Sequence, residues 1–314
     1  MENTSAAAWG LPHCSNFRFC ELTPRMKKPL HSNWQTDAKS YEEVSRTIIP
    51  EGGNVGILLG NASGVIDIDC DTPEAVNAMR ILAFNHFASF SRCPESAHYL
   101  FLCKTGGKTI QLRHPEGGTI VELRGNGTQT MVPPSTHPSG KQLDFDYWND
   151  GASEIAYESL HQLVHQVAGI SLLIQAWLKG QRHQVSLSLA GLCQSIGIRI
   201  EDTLELVEVV CNISADEEIG GRLRNVRSTY QRPENTNNGY AGLAGLVGRE
   251  YADCLKDWLC EAYGEGQQAA QLATVSENTG GLINMKRPDN INEANLAEVY
   301  AQYLHDSARY CHEE

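Results

Sequence analysis

The chain has 314 residues, 41% hydrophobic and 20% charged, with a formal net charge of −13 and a pI near 5.3. That composition excludes disorder throughout, and the length allows two domains or one large one. The acidic balance argues against indiscriminate polyanion binding, because the long-range field repels a phosphate backbone; any nucleic-acid contact must be local. No run approaches the roughly 18 apolar residues of a membrane span. Residues 1–10 also lack a basic end followed by an apolar core, so the expectation is a cytoplasmic protein with no membrane partner. The ten cysteines contain no C-x-x-C pair, since Cys14 and Cys20, like Cys254 and Cys260, have five residues between them. Neither a zinc knuckle nor an oxidised framework is expected, and the thiols read as small buried hydrophobes.

From Leu22 to about Asp150, short β-branched runs alternate with Gly, Pro, Asn and Ser punctuation, which reads as α+β or α/β. Strands are predicted at 55–59, 64–70, 98–103 and 119–124, with a helix over 73–85. Pro73 suits a helix start, where its missing N–H leaves nothing unpaired, and Asp71 or Thr72 can cap it. After Trp148 the apolar spacing changes to three and four residues over 153–167, 172–178, 184–196 and 200–211, the pattern of amphipathic helices. Gly197 ends one of these, and Glu201 and Asp202 sit in the first turn of the next, where the helix dipole favours negative charge. Residues 233–239 read as a surface loop, 248–263 as another helix, and 292–311 as a last helix within a Gln- and Asn-rich end. The organisation expected is a catalytic domain over 1–152, a helical domain over 153–263, and a tail or linker over 264–314.

Three short segments carry candidate chemistry. In Val65-Ile66-Asp67-Ile68-Asp69-Cys70 the strand period of two places Asp67 and Asp69 on one face. Paired carboxylates need a cation, and a divalent ion with oxygen ligands supplies one; the alternative is a solvated edge strand. Ser96 and His98 open another strand, either as a phosphate contact or as a hydrogen-bonded structural pair. Glu122 and Arg124 share a face, with Val121 and Leu123 on the other, as a third acid beside a guanidinium or as a plain surface ion pair. Gly125-Asn126-Gly127 then makes a turn, and Met131-Val132-Pro133-Pro134-Ser135 an extended segment able to wall a pocket.

The order of these segments resembles the prim-pol family of the archaeo-eukaryotic primase superfamily. The resemblance extends to Leu22-Thr23-Pro24, Lys27-Lys28-Pro29, Trp34, Asn54-Val55-Gly56-Ile57 and Gly60 upstream, and to His137-Pro138-Ser139-Gly140 downstream. It implies a primase-like core built on an RRM-like sheet unit. It further implies that Asp67, Asp69 and Glu122 are catalytic and hold two Mg²⁺ or Mn²⁺ ions, and that Ser96 and His98 contact the phosphates of an NTP or dNTP. Arg124 matches a basic position after the third acid. Glu122 stands where the family commonly has aspartate, and Cys93-Pro94-Glu95 replaces the usual Gly-rich approach to Ser-x-His. Gly180-Gln181-Arg182-His183, Leu189-Ala190-Gly191-Leu192 and Gly197 are similar to the helical primase C-terminal domain.

Local positive charge completes the expectation. Lys104, Lys108, Arg113 and Arg124 offer charge to a triphosphate, and residues 219–233 hold Arg222, Arg224, Arg227 and Arg232 with no acid and with Tyr230 as a stacking face for single-stranded DNA template. The same run also reads as an exposed charge cluster covering apolar surface. No Gly-rich Lys-Ser/Thr phosphate loop occurs, so a separate or fused helicase is the expected partner. The leading expectation is a template-dependent primase-polymerase of a plasmid, phage or other mobile element. Its rivals are a gap-filling repair polymerase, a divalent-dependent nuclease, and a nucleotide- or DNA-binding initiator without catalysis.

Overall fold

In the computed structural model, which describes residues 16–83, 85–149, 151–233 and 237–264, strands dominate the first half and helices the second. The order is β1 (Phe19–Leu22), α1 (Tyr41–Thr47), β2 (Asn54–Leu58), β3 (Val65–Cys70), α2 (Pro73–Leu82), β4 (Ala88–Cys93), β5 (Ser96–Leu102), β6 (Ile110–Arg113), β7 (Thr119–Arg124), β8 (Gln129–Val132) and β9 (Phe145–Trp148). Then come α3 (Tyr157–Ala176), α4 (Arg182–Ser195), α5 (Ile200–Ile213), α6 (Ile219–Tyr230), α7 (Gly239–Val247) and α8 (Arg249–Tyr263). The architecture is α+β, and no helix among the described residues is long and apolar enough to cross a membrane. The helix expected over 292–311 lies outside the described residues.

Two antiparallel sheets form, one in the order β6-β7-β3-β5-β4-β9 and a smaller one in the order β1-β2-β8. Alternation assigns the faces of the larger sheet. Ile66, Ile68 and Cys70 of β3 join Tyr99 and Phe101 of β5 and Val121 and Leu123 of β7, all buried, on the side that α2 and α3 cover. On the other face Val65, Ala88, Phe90, Leu100 and Leu102 share a core with Phe19, Leu22, Val55 and Ile57 of the smaller sheet. This second layer roofs only part of the face, and the strip beyond its edge holds the candidate site.

Local chemistry explains the turns around that strip. Thr72 caps α2 by accepting from the Ala75 N–H, with Pro73 in the first turn. Gly60 adopts φ +69°, and a Cβ there would fall 2.7 Å from the backbone of Asn126, so the turn after β7 can close only on a glycine. Asn126 Oδ1 then accepts from the Asn61 N–H at 2.8 Å.

The helical part departs from the sequence pattern in one instructive place. The helices expected at 153–167 and 172–178 are one element, α3, whose residues from Leu163 through Leu173 are all buried. It packs against α2, β7, α5 and α8 at once, so no polar face remains for a periodicity to show. His114, at the β6–β7 turn, fastens this arrangement: its Nε2 lies 2.9 Å from Gln175 Oε1 and 2.6 Å from the Tyr251 hydroxyl. Gly191 and Gly239 let α4 and α7 approach closely, since a Cβ on Gly239 would lie 2.5 Å from the Gly191 backbone.

His86 packs against Tyr99 and Tyr147 at ring-centroid distances of 5.1 and 4.7 Å, and burial pushes its pKa down from 6.5 to about 4. The folded state therefore binds fewer protons than the unfolded chain between those values, and stability falls as pH drops through the window. The loss through this group should approach about 3 kcal/mol. Urea melts at pH 7 and 4 should show a shallower decline for His86→Phe than for the wild type; equal slopes would remove His86 as the cause.

Candidate active site

Register brings three distant segments into one row. Asp69 pairs with His98 on one side and Glu122 on the other, and Glu122 pairs with Gln111, so β5, β3, β7 and β6 each contribute one polar residue to a line across the sheet. One step along β3, Asp67 pairs with Arg124. Paired residues share a face, so Asp67, Asp69, His98, Glu122 and Arg124 all stand on the strip left open by the smaller sheet. Ser96 stands two residues before His98 and lines the same cleft.

Depth separates the two aspartates. The Asp67 side chain is fully buried under the edge of the roof, while that of Asp69 is 13% exposed at the mouth. Thr130 of β8 donates its hydroxyl to Asp67 Oδ2, and His98 Nδ1 lies 3.0 Å from the same oxygen. His98 Nε2 is 3.5 Å from Asp69 Oδ1, and the ring stacks on Phe90 at 4.7 Å with an interplanar angle of 14°. Burial opposes charge on His98, but Asp69 and Asp67 outweigh it and hold the imidazole pKa above its usual value. Burial likewise opposes charge on Asp67, and His98, Arg124 and Thr130 overcome it, so its pKa lies below the ordinary carboxylate value.

Arg124 is the hub of the strip. Its Nη1 donates to Thr130 Oγ1 at 2.8 Å and its Nη2 to Gln129 O at 2.7 Å. The same guanidinium lies 3.6 Å from Asp67, 3.9 Å from Asp69 and 3.7 Å from Glu122. A charge-fixing network of this density holds the three acids against their mutual repulsion.

Several residues that the sequence did not single out as site residues also line the cleft. Asp71 continues the alternation of Asp67 and Asp69 to the lip, where partial burial and the neighbouring Asp69 push its pKa up to about 6. Lys27, Arg92, Gln129 and His137 line it too, with Met131 and Leu143 as apolar wall. Asp71 was open to discovery by the same period of two. Arg92 carries no local signal, because it reaches the cleft only through the pairing of β4 with β5.

The other expected contacts divide. Arg113 lies on β6, exposed, and reaches Glu122 only through Gln111, which accepts from Arg113 at 2.8 Å and donates to Glu122 at 3.1 Å. Lys104 does not line the cleft: it lies past the opposite end of β5 from Ser96 and His98 and pairs with Glu154 at 2.7 Å. Six residues of extended chain separate it from His98, roughly 20 Å. In the helical part Arg222 is buried, with Nε 3.0 Å from Asp216 and Nη2 2.8 Å from Glu218, so it is a structural ion pair rather than a surface cation. Trp177 Nε1 donates to the same Asp216 at 2.9 Å. Tyr230 directs its hydroxyl inward to Ile198 O at 2.8 Å. Arg224, Arg227 and Arg232 remain exposed.

The donor chemistry suits hard divalent cations: Asp69 and Glu122 are register partners on neighbouring strands and Asp67 stands two residues before Asp69 on the same face, so the donors offered are carboxylate oxygens. Among the described residues no three His, Cys, Asp or Glu side chains converge as a ready cage, and the negative charge is balanced by Arg124 and His98 instead.

Residues 11–156 match a family model, Prim-Pol, described as bifunctional DNA primase/polymerase, N-terminal. The match ends one residue before α3 and includes every acid of the strip. No curated protein matches the chain.

Proposed function

Because residues 11–156 are a Prim-Pol domain, a DNA primase/polymerase module of the nucleotidyltransferase class, we propose that this chain is a template-dependent primase-polymerase making short RNA or DNA strands with two Mg²⁺ or Mn²⁺ ions. The observation that carries this reading is the row His98–Asp69–Glu122, three residues from three strands placed in register on an open face.

Bound at Asp69, Glu122 and Asp67, the ions would acidify a primer 3′-hydroxyl and neutralise the triphosphate. The chain's own groups do the positioning. Asp67 anchors His98 through Nδ1, which keeps Nε2 toward the cleft, and Phe90 stacks on the ring to hold its plane. The Ser96 hydroxyl and His98 Nε2–H line the cleft as donors that the phosphates of a bound nucleotide would meet, while Arg124 balances the acids between turnovers. The roof of the smaller sheet shields Asp67 from water, which strengthens each of these charges.

Exposed Arg224, Arg227 and Arg232 are the proposed contacts to single-stranded template, local cations on an acidic chain. Unwinding would come from a separate or fused helicase. The setting, replication of a plasmid, phage or other mobile element, rests on the motif resemblance alone.

Incubation of the full chain with single-stranded circular DNA, labelled nucleotides and Mn²⁺ or Mg²⁺, without primer, tests the reading. New strands should appear with the wild type. Extension of supplied primers alone would select a gap-filling polymerase, and binding without incorporation an inactive initiator.

A further inference from the structure

Glu122 is the longest of the three acids, and its additional torsion must be fixed before its carboxylate can hold anything in place. Its register partner on β6 is Gln111, whose Nε2 donates to Glu122 Oε1 at 3.1 Å. Gln111 Oε1 in turn accepts from Arg113 Nη2 at 2.8 Å. A guanidinium only donates and a carboxylate only accepts, whereas a carboxamide does both. Arg113 therefore fixes which end of the amide meets Glu122. A glutamine without that partner could turn either end; this one offers its N–H.

Strand β6 holds that amide still. Leu112 is buried and pairs with Val121, so alternation puts Gln111 and Arg113 together on the open face. Both ends of this edge strand are pinned: the Gly125 N–H donates to Thr109 Oγ1 at 3.1 Å, and the His114 N–H to Gly118 O at 3.0 Å. The second oxygen of Glu122, Oε2, makes no hydrogen bond among the described residues and lies 3.7 Å from Arg124 Nε. One oxygen is committed to β6 and the other is not.

We propose that Gln111, oriented by Arg113, is a positioning residue for Glu122, engaging Oε1 so that Oε2 is the oxygen offered to a divalent ion. The proposal rests on the reading of Glu122 as a metal ligand in nucleotidyl transfer. A relay through a neutral amide suits that task better than a direct ion pair, because it fixes the carboxylate without cancelling the charge a cation needs. Arg113 then acts on the site through two side chains, Gln111 and Glu122, rather than on the nucleotide.

Titration of the full chain with Mn²⁺ in the absence of nucleotide, read from the electron-spin signal of the free ion, tests this apart from turnover. Gln111→Met, which keeps the length of the side chain and loses both amide contacts, should weaken Mn²⁺ binding about 10-fold or more. It should raise the Mn²⁺ concentration for half-maximal primer extension by a similar factor. Arg113→Met should cost about 3-fold, and Arg113→Lys, which keeps a donor for Gln111 Oε1, should restore the wild-type value. Both residues are exposed, so the thermal midpoint should stay in place; a lowered midpoint with unchanged Mn²⁺ affinity would make the role merely structural and overturn the proposal. In a Glu122→Asp background, one methylene shorter, Gln111→Met should add no further loss, and an additive loss would show that Gln111 acts elsewhere. If Gln111→Met stays within twofold of an active wild type in Mn²⁺ affinity and in half-maximal Mn²⁺, the positioning role falls and the polymerase reading stands. A wild type that neither binds Mn²⁺ nor incorporates nucleotide would overturn both.

Discussion

Asp69→Asn should reduce nucleotide incorporation by about 10³-fold or more while leaving the thermal midpoint nearly unchanged. The carboxamide keeps the shape of the side chain but loses the charge that a divalent ion and the row with Glu122 require. Its contacts to His98 and Arg124 are long, 3.5 and 3.9 Å, and removing one of three clustered acids also relieves their mutual repulsion, so the two effects should nearly offset in stability. Steady-state incorporation beside a thermal melt checks both halves. Wild-type rates from this variant would remove Asp69 from the chemistry.

Asp67→Ala should instead lower stability by about 3–5 kcal/mol, because it strands the His98 imidazolium and the Arg124 guanidinium without their shared buried counter-charge. A loss of activity in that variant alone therefore says little about catalysis, and the contrast with Asp69→Asn separates the two roles. The pH dependence has a definite sign. The Asp67 pKa is depressed from 3.8, so its contribution is present above that value and disappears as pH falls through the lower folded value. The His98 pKa is raised from 6.5, so its contribution is complete below that value and disappears as pH rises through the higher folded one. The difference between wild type and Asp67→Ala in urea melts should be largest between pH 3.8 and 6.5. A difference under about 1 kcal/mol there would show that Asp69 and Glu122, not Asp67, balance these cations.

The contrast between the two aspartates shows how sequence and structure divide the explanation. Both share a face because a strand alternates, and that much is local. Which of them is buried depends on where the β1-β2-β8 sheet ends above β3, a long-range fact that no window of sequence contains. The helical part repeats the lesson through Arg222: a run of arginines without an acid reads as a surface patch, yet the helix turns Arg222 toward Asp216, six positions earlier and outside the run.

The amino-acid order alone narrowed the class to α+β or α/β, located the strands that bear Asp67, Asp69, Ser96, His98, Glu122 and Arg124, and put Asp67 with Asp69 and Glu122 with Arg124 on shared faces, since strand period and helix caps act over a few residues. Tertiary structure alone decided that Glu122 lies opposite Asp69, that Lys104 is excluded, and that Arg92, Lys27 and His137 join the cleft. Strand order and register are set by burying two apolar faces at once, and that collective energy cannot be assigned to any one segment.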